Sequence, residues 1–129
     1  MSFGARVVIQ GPDIYLSAIT AQGFALVLHE LATNAVKHGA LGARGGTVTV
    51  EWHQKSGSPE LLFFCWREAG GPPTVTPQRI GFGTKLLEIA VPTAEAPRLD
   101  YSPKGFVYEI AVVLDSLHPS IKLPTRDPG

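Results

Sequence analysis

The sequence predicts an α+β sandwich, with helices on one face of a mixed β-sheet. Three observations predict it. Apolar residues recur at helical spacing between positions 24 and 35. Two pairs of β-patterned runs, one within 47–67 and one within 98–114, read as hairpins. The elements follow in the order strand, helix, hairpin, helix, hairpin. A chain of 129 residues, 44% apolar and 17% charged, has the balance of one globular domain and is too short for two ordinary cores.

The first strand is Val7-Val8-Ile9, closed by the turn formers Gly11-Pro12-Asp13. Ser17 or Thr20 caps the helix that follows, which runs to about Lys37 and stops at Gly39. Phe24, Leu28, Leu31, Ala32 and Ala35 make its buried face. Gly23 inside this helix costs ~1 kcal/mol relative to alanine, so packing must hold that turn. A glycine-rich loop covers 39–46. Residues 47–53 alternate branched and polar side chains, residues 60–67 are mostly apolar, and Lys55-Ser56-Gly57-Ser58-Pro59 joins them as a hairpin. Residues 69–83 hold four glycines and three prolines and read as a loop. Residues 84–91 regain helical spacing through Leu86, Leu87 and Ile89, and Pro92 ends that helix. Residues 98–101 and 105–114 form the closing hairpin. The tail, 115–129, carries three prolines and a glycine and is expected to be flexible, which leaves 1–114 as the domain.

Composition narrows the function. Eleven basic and eleven acidic residues cancel, so no overall field favours nucleic acid or an anionic membrane. No run approaches the ~20 apolar residues of a membrane span, and the N-terminus lacks a signal-peptide pattern. A soluble, cytoplasmic protein is expected. The lone Cys65 cannot form an internal disulfide and reads as a buried small hydrophobe. His53 and His118 have no carboxylate or cysteine at metal spacing, which argues against zinc. There is no internal repeat.

The chemistry concentrates in residues 29–39, His-Glu-Leu-Ala-Thr-Asn-Ala-Val-Lys-His-Gly. At ~3.6 residues per turn, Glu30, Asn34, Lys37 and His38 fall on one stripe. That stripe suits a magnesium-bound nucleotide. Asn34 can offer an oxygen to the cation, Lys37 and His38 can meet phosphate, and Glu30 can orient water or accept a proton. The plain alternative is a solvated helix face. Two glycine clusters follow, Gly70-Gly71 and Gly81-Phe82-Gly83-Thr84. The second opens a helix, whose free N–H groups and dipole can hold phosphate. A tight turn into a packed helix is its structural alternative.

Residues 29–39 resemble the N box of the GHKL ATPases, and more narrowly that of the HWE branch of bacterial sensor histidine kinases. That branch is marked by an N-box histidine and a Trp-x-Glu motif, matched here by His29 and Trp66-Arg67-Glu68. Glu68-Ala69-Gly70-Gly71-Pro72-Pro73 resembles its G1 box, and Gly81-Phe82-Gly83-Thr84 its G2 box. The resemblance covers roughly residues 6–114.

The resemblance implies a Bergerat-type two-layer sandwich that binds ATP and Mg2+. It makes Asn34 the magnesium ligand, with Glu30 beside it as a catalytic carboxylate. Lys37, also assigned to catalysis, and His38 would lie near the phosphates or ribose. Glu68 would accept the adenine amino group, and Gly70 would let the base approach the backbone. Gly81, Phe82, Gly83 and Thr84 would wrap the phosphates, and residues 72–80 would be a short lid. His29 either supports the stripe from behind or only fills space, and Trp66 is either core and pocket wall or an adenine stacker. Glu68 itself is either a pocket acceptor or a surface charge. Where the family has a glycine pair after its second helix, this chain has Pro92-Thr93-Ala94-Glu95-Ala96-Pro97.

A complete kinase of this kind also needs a dimerisation helix carrying the phosphoacceptor histidine, and none of the four histidines here sits on one. The expected partners are therefore that phosphoacceptor domain, as a missing N-terminal part or a separate protein, and a response regulator. Two rival readings remain at this stage: a stand-alone serine kinase of the anti-sigma-factor type, and a binding module without catalysis.

Overall fold

A computed structural model of the chain describes residues 2–3, 6–73, 81–114 and 120–122. Its elements are β1 (Ser2–Phe3), β2 (Val7–Gln10), β3 (Tyr15–Ser17), α1 (Ala18–Lys37), a 3-10 turn (Ala40–Gly42), β4 (Thr47–Lys55), β5 (Ser58–Ala69), α2 (Phe82–Ile89), β6 (Arg98–Ser102), β7 (Gly105–Val113) and β8 (Ser120–Lys122). Six strands make one sheet in the order β1-β2-β4-β5-β7-β6. Only β2 and β4 pair in parallel within it; the other neighbours are antiparallel, so the sheet is mixed as expected. The parallel pair arises because α1 and its loop carry the chain back between β2 and β4.

Helix α1 starts where a cap is available. The Ser17 hydroxyl accepts the Thr20 amide at 3.2 Å and donates to the Thr20 side chain. Its buried side, Phe24, Val27, Leu31 and Ala35, packs on the sheet, with the Phe24 and Phe64 rings edge to face at 5.2 Å. Gly23 is explained by packing: a methyl group there would lie 2.1 Å from the Ala90 carbonyl oxygen at the end of α2. Ala32 departs from expectation. It is exposed, because a small residue at the rim of the apolar arc has nothing to reach across to.

Alternation along the central strands sorts the sheet into two faces. Val48, Val50, Trp52, Leu62, Phe64, Trp66, Tyr108, Ile110 and Val112 point at the helices and form the core. Glu51, His53, Phe63, Cys65, Arg67 and Glu109 alternate with them on the other face. Cys65 is therefore half-buried on the outer face, not in the core as the apolar run suggested, and burial pushes its thiol pKa up. Arg98 pairs with Glu109 at 2.5 Å and Asp100 at 3.3 Å on this side. A 610 Å³ hollow lies here, lined by Glu51, His53, Cys65, Arg67, Arg98 and Glu109 among others.

Helix α2 begins at Phe82, two residues earlier than the spacing predicts, and ends at Ile89. It is fixed by Leu87 and by the Tyr108 hydroxyl, which donates to the Leu87 carbonyl at 2.5 Å. The segment after α2 runs against β7, with Ala94 N donating to Ala111 and Val113 N donating to Pro92. Three short strands were not foreseen: β1, β3 and β8. In β8, Ser120–Lys122 pairs antiparallel with Tyr15–Ser17, so these three residues of the tail are tied to the domain. The rest of 115–129, including His118, and residues 74–80 of the expected lid lie outside the described residues. No helix among the described residues is long and apolar enough to cross a membrane.

Tyr108 makes a pH prediction. Its phenol is fully buried and its pKa is pushed up, first by loss of water and second by Glu88. A raised folded value means that the fold holds the proton more tightly than the open chain does. This stabilisation is intact below the unfolded value of 10.0 and is lost as pH climbs from there through the folded value. Tyr108→Phe should cost about 1 kcal/mol near neutral pH through the lost hydrogen bond. Denaturant melts repeated above pH 10 should find the gap between wild type and Tyr108→Phe narrowing.

Candidate functional site

Two groups of expected site residues are drawn together, one at each end of the α1 stripe. The first lies between α1 and α2. Gly23, Glu30 and Asn34 share the flank of α1 that turns toward α2, being seven and four residues apart. Glu30 and Asn34 are half-buried there. A methyl group on Gly83 would lie 2.2 Å from a Glu30 carboxylate oxygen, so the start of α2 and the N-box glutamate are in contact. Thr84 follows in the first turn of α2, and its side chain is in hydrogen-bonding reach of the Tyr101 hydroxyl on β6. The Tyr101 phenol pKa is raised, chiefly by burial; the Thr84 bond opposes that, while Glu88 and Glu30 add to it. Tyr101 was not anticipated. The only signal available was its place in an alternating strand.

The second group surrounds Glu68 at the end of β5. This carboxylate is only 4% exposed, which decides against a surface charge. One oxygen accepts the Ala40 amide at 3.0 Å, and the other accepts the Trp66 indole N–H at 2.9 Å. Ala40 opens the 3-10 turn directly after the N box, so Glu68 ties the end of α1 to the sheet. Arg6 holds the same loop from the other side, its guanidinium donating to the carbonyls of Ala40, Ala43 and Gly46. Sequence reasoning missed Arg6 entirely. Gly70 sits at φ 74, in the left-handed region, and approaches the Gly45 carbonyl. Gly71 packs on Ala40.

The remaining expected residues are more open. Lys37 and His38 are exposed at the C-terminal end of α1, where His38 caps the helix through its backbone N–H. His29 is exposed on α1. Gly81 is exposed at the N-cap of α2, and Phe82 is 80% exposed beside it. Trp66 is buried in the core, 5% exposed, facing Val50 and Tyr108 on the neighbouring strands. Its ring has no open face for a base to stack on. Among the described residues no group of three or more His, Cys, Asp or Glu could hold a metal ion. Asn34, with a neutral oxygen on a half-buried helix flank, fits a magnesium ion that keeps phosphate and water as its other ligands. The Glu30 carboxylate fills the space beside Gly83, so any side chain at that turn would have to push it aside. The outer hollow on the far face of the sheet contains none of these residues.

A mixed sheet backed on one face by two helices is also the fold of a solved histidine kinase domain. The solved histidine kinase domain of the blue-light-activated histidine kinase of Erythrobacter litoralis superposes with a TM-score of 0.69 over 84% of this chain and 51% of that one, at 19% identity. No protein-family model matches the chain. Curated relatives do: the blue-light-activated histidine kinase of Brucella anthropi is 38% identical over 113 residues, spanning 84% of this chain and 23% of that protein. Blue-light-activated histidine kinase 1 of Erythrobacter litoralis is 38% identical over 116 residues, 85% of this chain and 31% of that protein. The corresponding kinase of Rhizobium johnstonii is 35% identical over 109 residues, 83% and 31%. The chain is homologous to a part of these histidine kinases. It spans less than a third of the length of these curated relatives.

Proposed function

We propose that this chain is the ATP-binding catalytic domain of an HWE-type sensor histidine kinase. It holds Mg-ATP and presents the γ-phosphate to a histidine on a separate dimerisation domain, from which a response regulator is then phosphorylated. The observation that carries this reading is the contact between Glu30 on the N-box helix and Gly83 at the G2 turn. It closes the polar stripe and the helix N-terminus onto one place, where a triphosphate meets both.

Transfer of this kind depends on positioning and on neutralising phosphate charge. When bound, magnesium supplies much of that neutralisation, and Asn34 is the residue that would hold it. Gly81, Phe82, Gly83 and Thr84 offer backbone N–H groups at the start of α2 to the phosphates. Lys37 and His38, at the open end of the stripe, reach phosphate or ribose. Glu30 orients the attacking group or takes its proton. Glu68 accepts the adenine amino group with the lone pairs left free by Ala40 and Trp66, each carboxylate oxygen having two. Gly70 brings the backbone close to the base.

Incubation with radiolabelled ATP and a histidine-bearing dimerisation domain should give a product whose label is lost in acid and kept in alkali. Acid-stable label would point instead to a serine kinase of the anti-sigma-factor type. A second test addresses the turn itself. In Gly83→Ala the new methyl group displaces the Glu30 carboxylate, a flexible group, so the fold should be no less stable. A gain of about 0.5–1 kcal/mol is expected from alanine in a helix. ATP affinity should nevertheless fall roughly tenfold, which isothermal calorimetry measures.

A further inference from the structure

We propose that Trp66 is a positioning residue for adenine recognition: its indole N–H fixes the Glu68 carboxylate in the orientation that accepts the base. This rests on Glu68 as the adenine acceptor and adds a role for a residue that touches no nucleotide. The two residues are i and i+2 on β5, so they point to the same side of the sheet. Trp66 Nε1 donates to Glu68 Oε2 at 2.9 Å, and the contact is buried. β5 is paired on both sides there, Trp66 facing Val50 on β4 and Tyr108 on β7, so the indole cannot shift along the strand. At 5% exposure its ring is held by the core.

The other oxygen of Glu68 is held by the Ala40 amide from a different element. With one donor on each oxygen, from the strand and from the loop after α1, the plane of the carboxylate is fixed. Burying a carboxylate is costly without donors, and charge-assisted hydrogen bonds are the stronger kind. A carboxylate held this way presents its unused lone pairs in fixed directions. A free one would lose rotational freedom on each binding event. The Trp-x-Glu spacing thus has a physical meaning: the tryptophan is the orienting donor, and a phenylalanine of similar bulk lacks the atom that does it.

The experiment compares ATP with purine riboside 5′-triphosphate, which carries hydrogen in place of the 6-amino group, on wild type and Trp66→Phe. Wild type should prefer ATP. In Trp66→Phe, ATP affinity should drop roughly tenfold or more, as expected for losing a hydrogen bond to a charged group, while the analogue binds unchanged. A merely structural role would weaken both nucleotides alike, and that result, or a full ATP preference kept in Trp66→Phe, overturns the inference. Wild type without any preference for ATP would overturn the assignment of Glu68 and this inference with it. A measurement on the unaltered protein covers the case in which the variant does not fold. The Trp66 indole N–H resonance, told apart from that of Trp52 by a Trp52→Phe sample, should move on adding ATP and move far less with the analogue. Equal shifts with both, or none, contradict the proposal.

Discussion

Asn34→Ala should weaken magnesium-dependent nucleotide binding about 100-fold while leaving the free domain folded. Asparagine is a poor helix former and alanine the best, so the substitution in the interior of α1 favours the helix by several tenths of a kcal/mol. Its side chain is only half-buried on the flank of the helix, so the fold loses little. What is lost is the neutral oxygen that faces the α2 side of the helix beside Glu30. Magnesium demands near-ideal octahedral geometry, and the site has no cluster of carboxylates to replace a missing ligand. Calorimetry with magnesium should report a loss of on the order of 100-fold, about 2.7 kcal/mol, against wild type. With chelator present, the two proteins should bind equally weakly. An unchanged melting midpoint in the free variant would show that the loss is local.

Glu68→Ala should damage both binding and folding, the second being invisible without the structure. From the motif alone this side chain reads as a pocket group whose removal spares the fold. Its burial changes the expectation. Deleting the carboxylate leaves the Ala40 amide and the Trp66 indole N–H without acceptors in a buried place. Each orphaned donor costs about 1–3 kcal/mol, so the melting midpoint should fall by on the order of 10 °C. ATP binding should be lost even at a temperature where the variant is fully folded, as monitored by circular dichroism. Glu68→Gln should be milder in stability, since one oxygen remains to accept, but it turns a donor toward one of the two N–H groups. Its affinity should therefore still fall.

Much of this architecture is legible in the residues, and the gaps have physical causes. The limits of α1 are readable because Ser17 caps it and Gly39 follows its end. The two hairpins are readable because branched and polar residues alternate up to a glycine turn. The pairing of β3 with β8 is not. It joins three-residue strands more than a hundred positions apart, and so short a segment carries no period. Cys65 misled because an apolar run hides its alternation: its neighbours Phe64 and Trp66 point inward, and it cannot. The stripe of Glu30 and Asn34 was readable from helical spacing, yet its meeting with Gly83 depends on how α2 docks. Likewise, Glu68 is visible as a motif residue, but its donor comes from Ala40, 28 positions away across the fold. Arg6 and Tyr101 lie in no motif, and only tertiary contact brings one to the loop after α1 and the other to the first turn of α2.

The most direct test of a nucleotide site between α1 and the start of α2 is a titration of the isotope-labelled chain with ATP, followed residue by residue in amide NMR spectra, with and without magnesium. The account predicts saturable, magnesium-dependent shifts at Asn34, Ala40, Gly83 and Thr84, with Glu51, Cys65 and Glu109 on the outer face of the sheet unmoved. Shifts confined to that outer face, or no saturable shift at all, would contradict it.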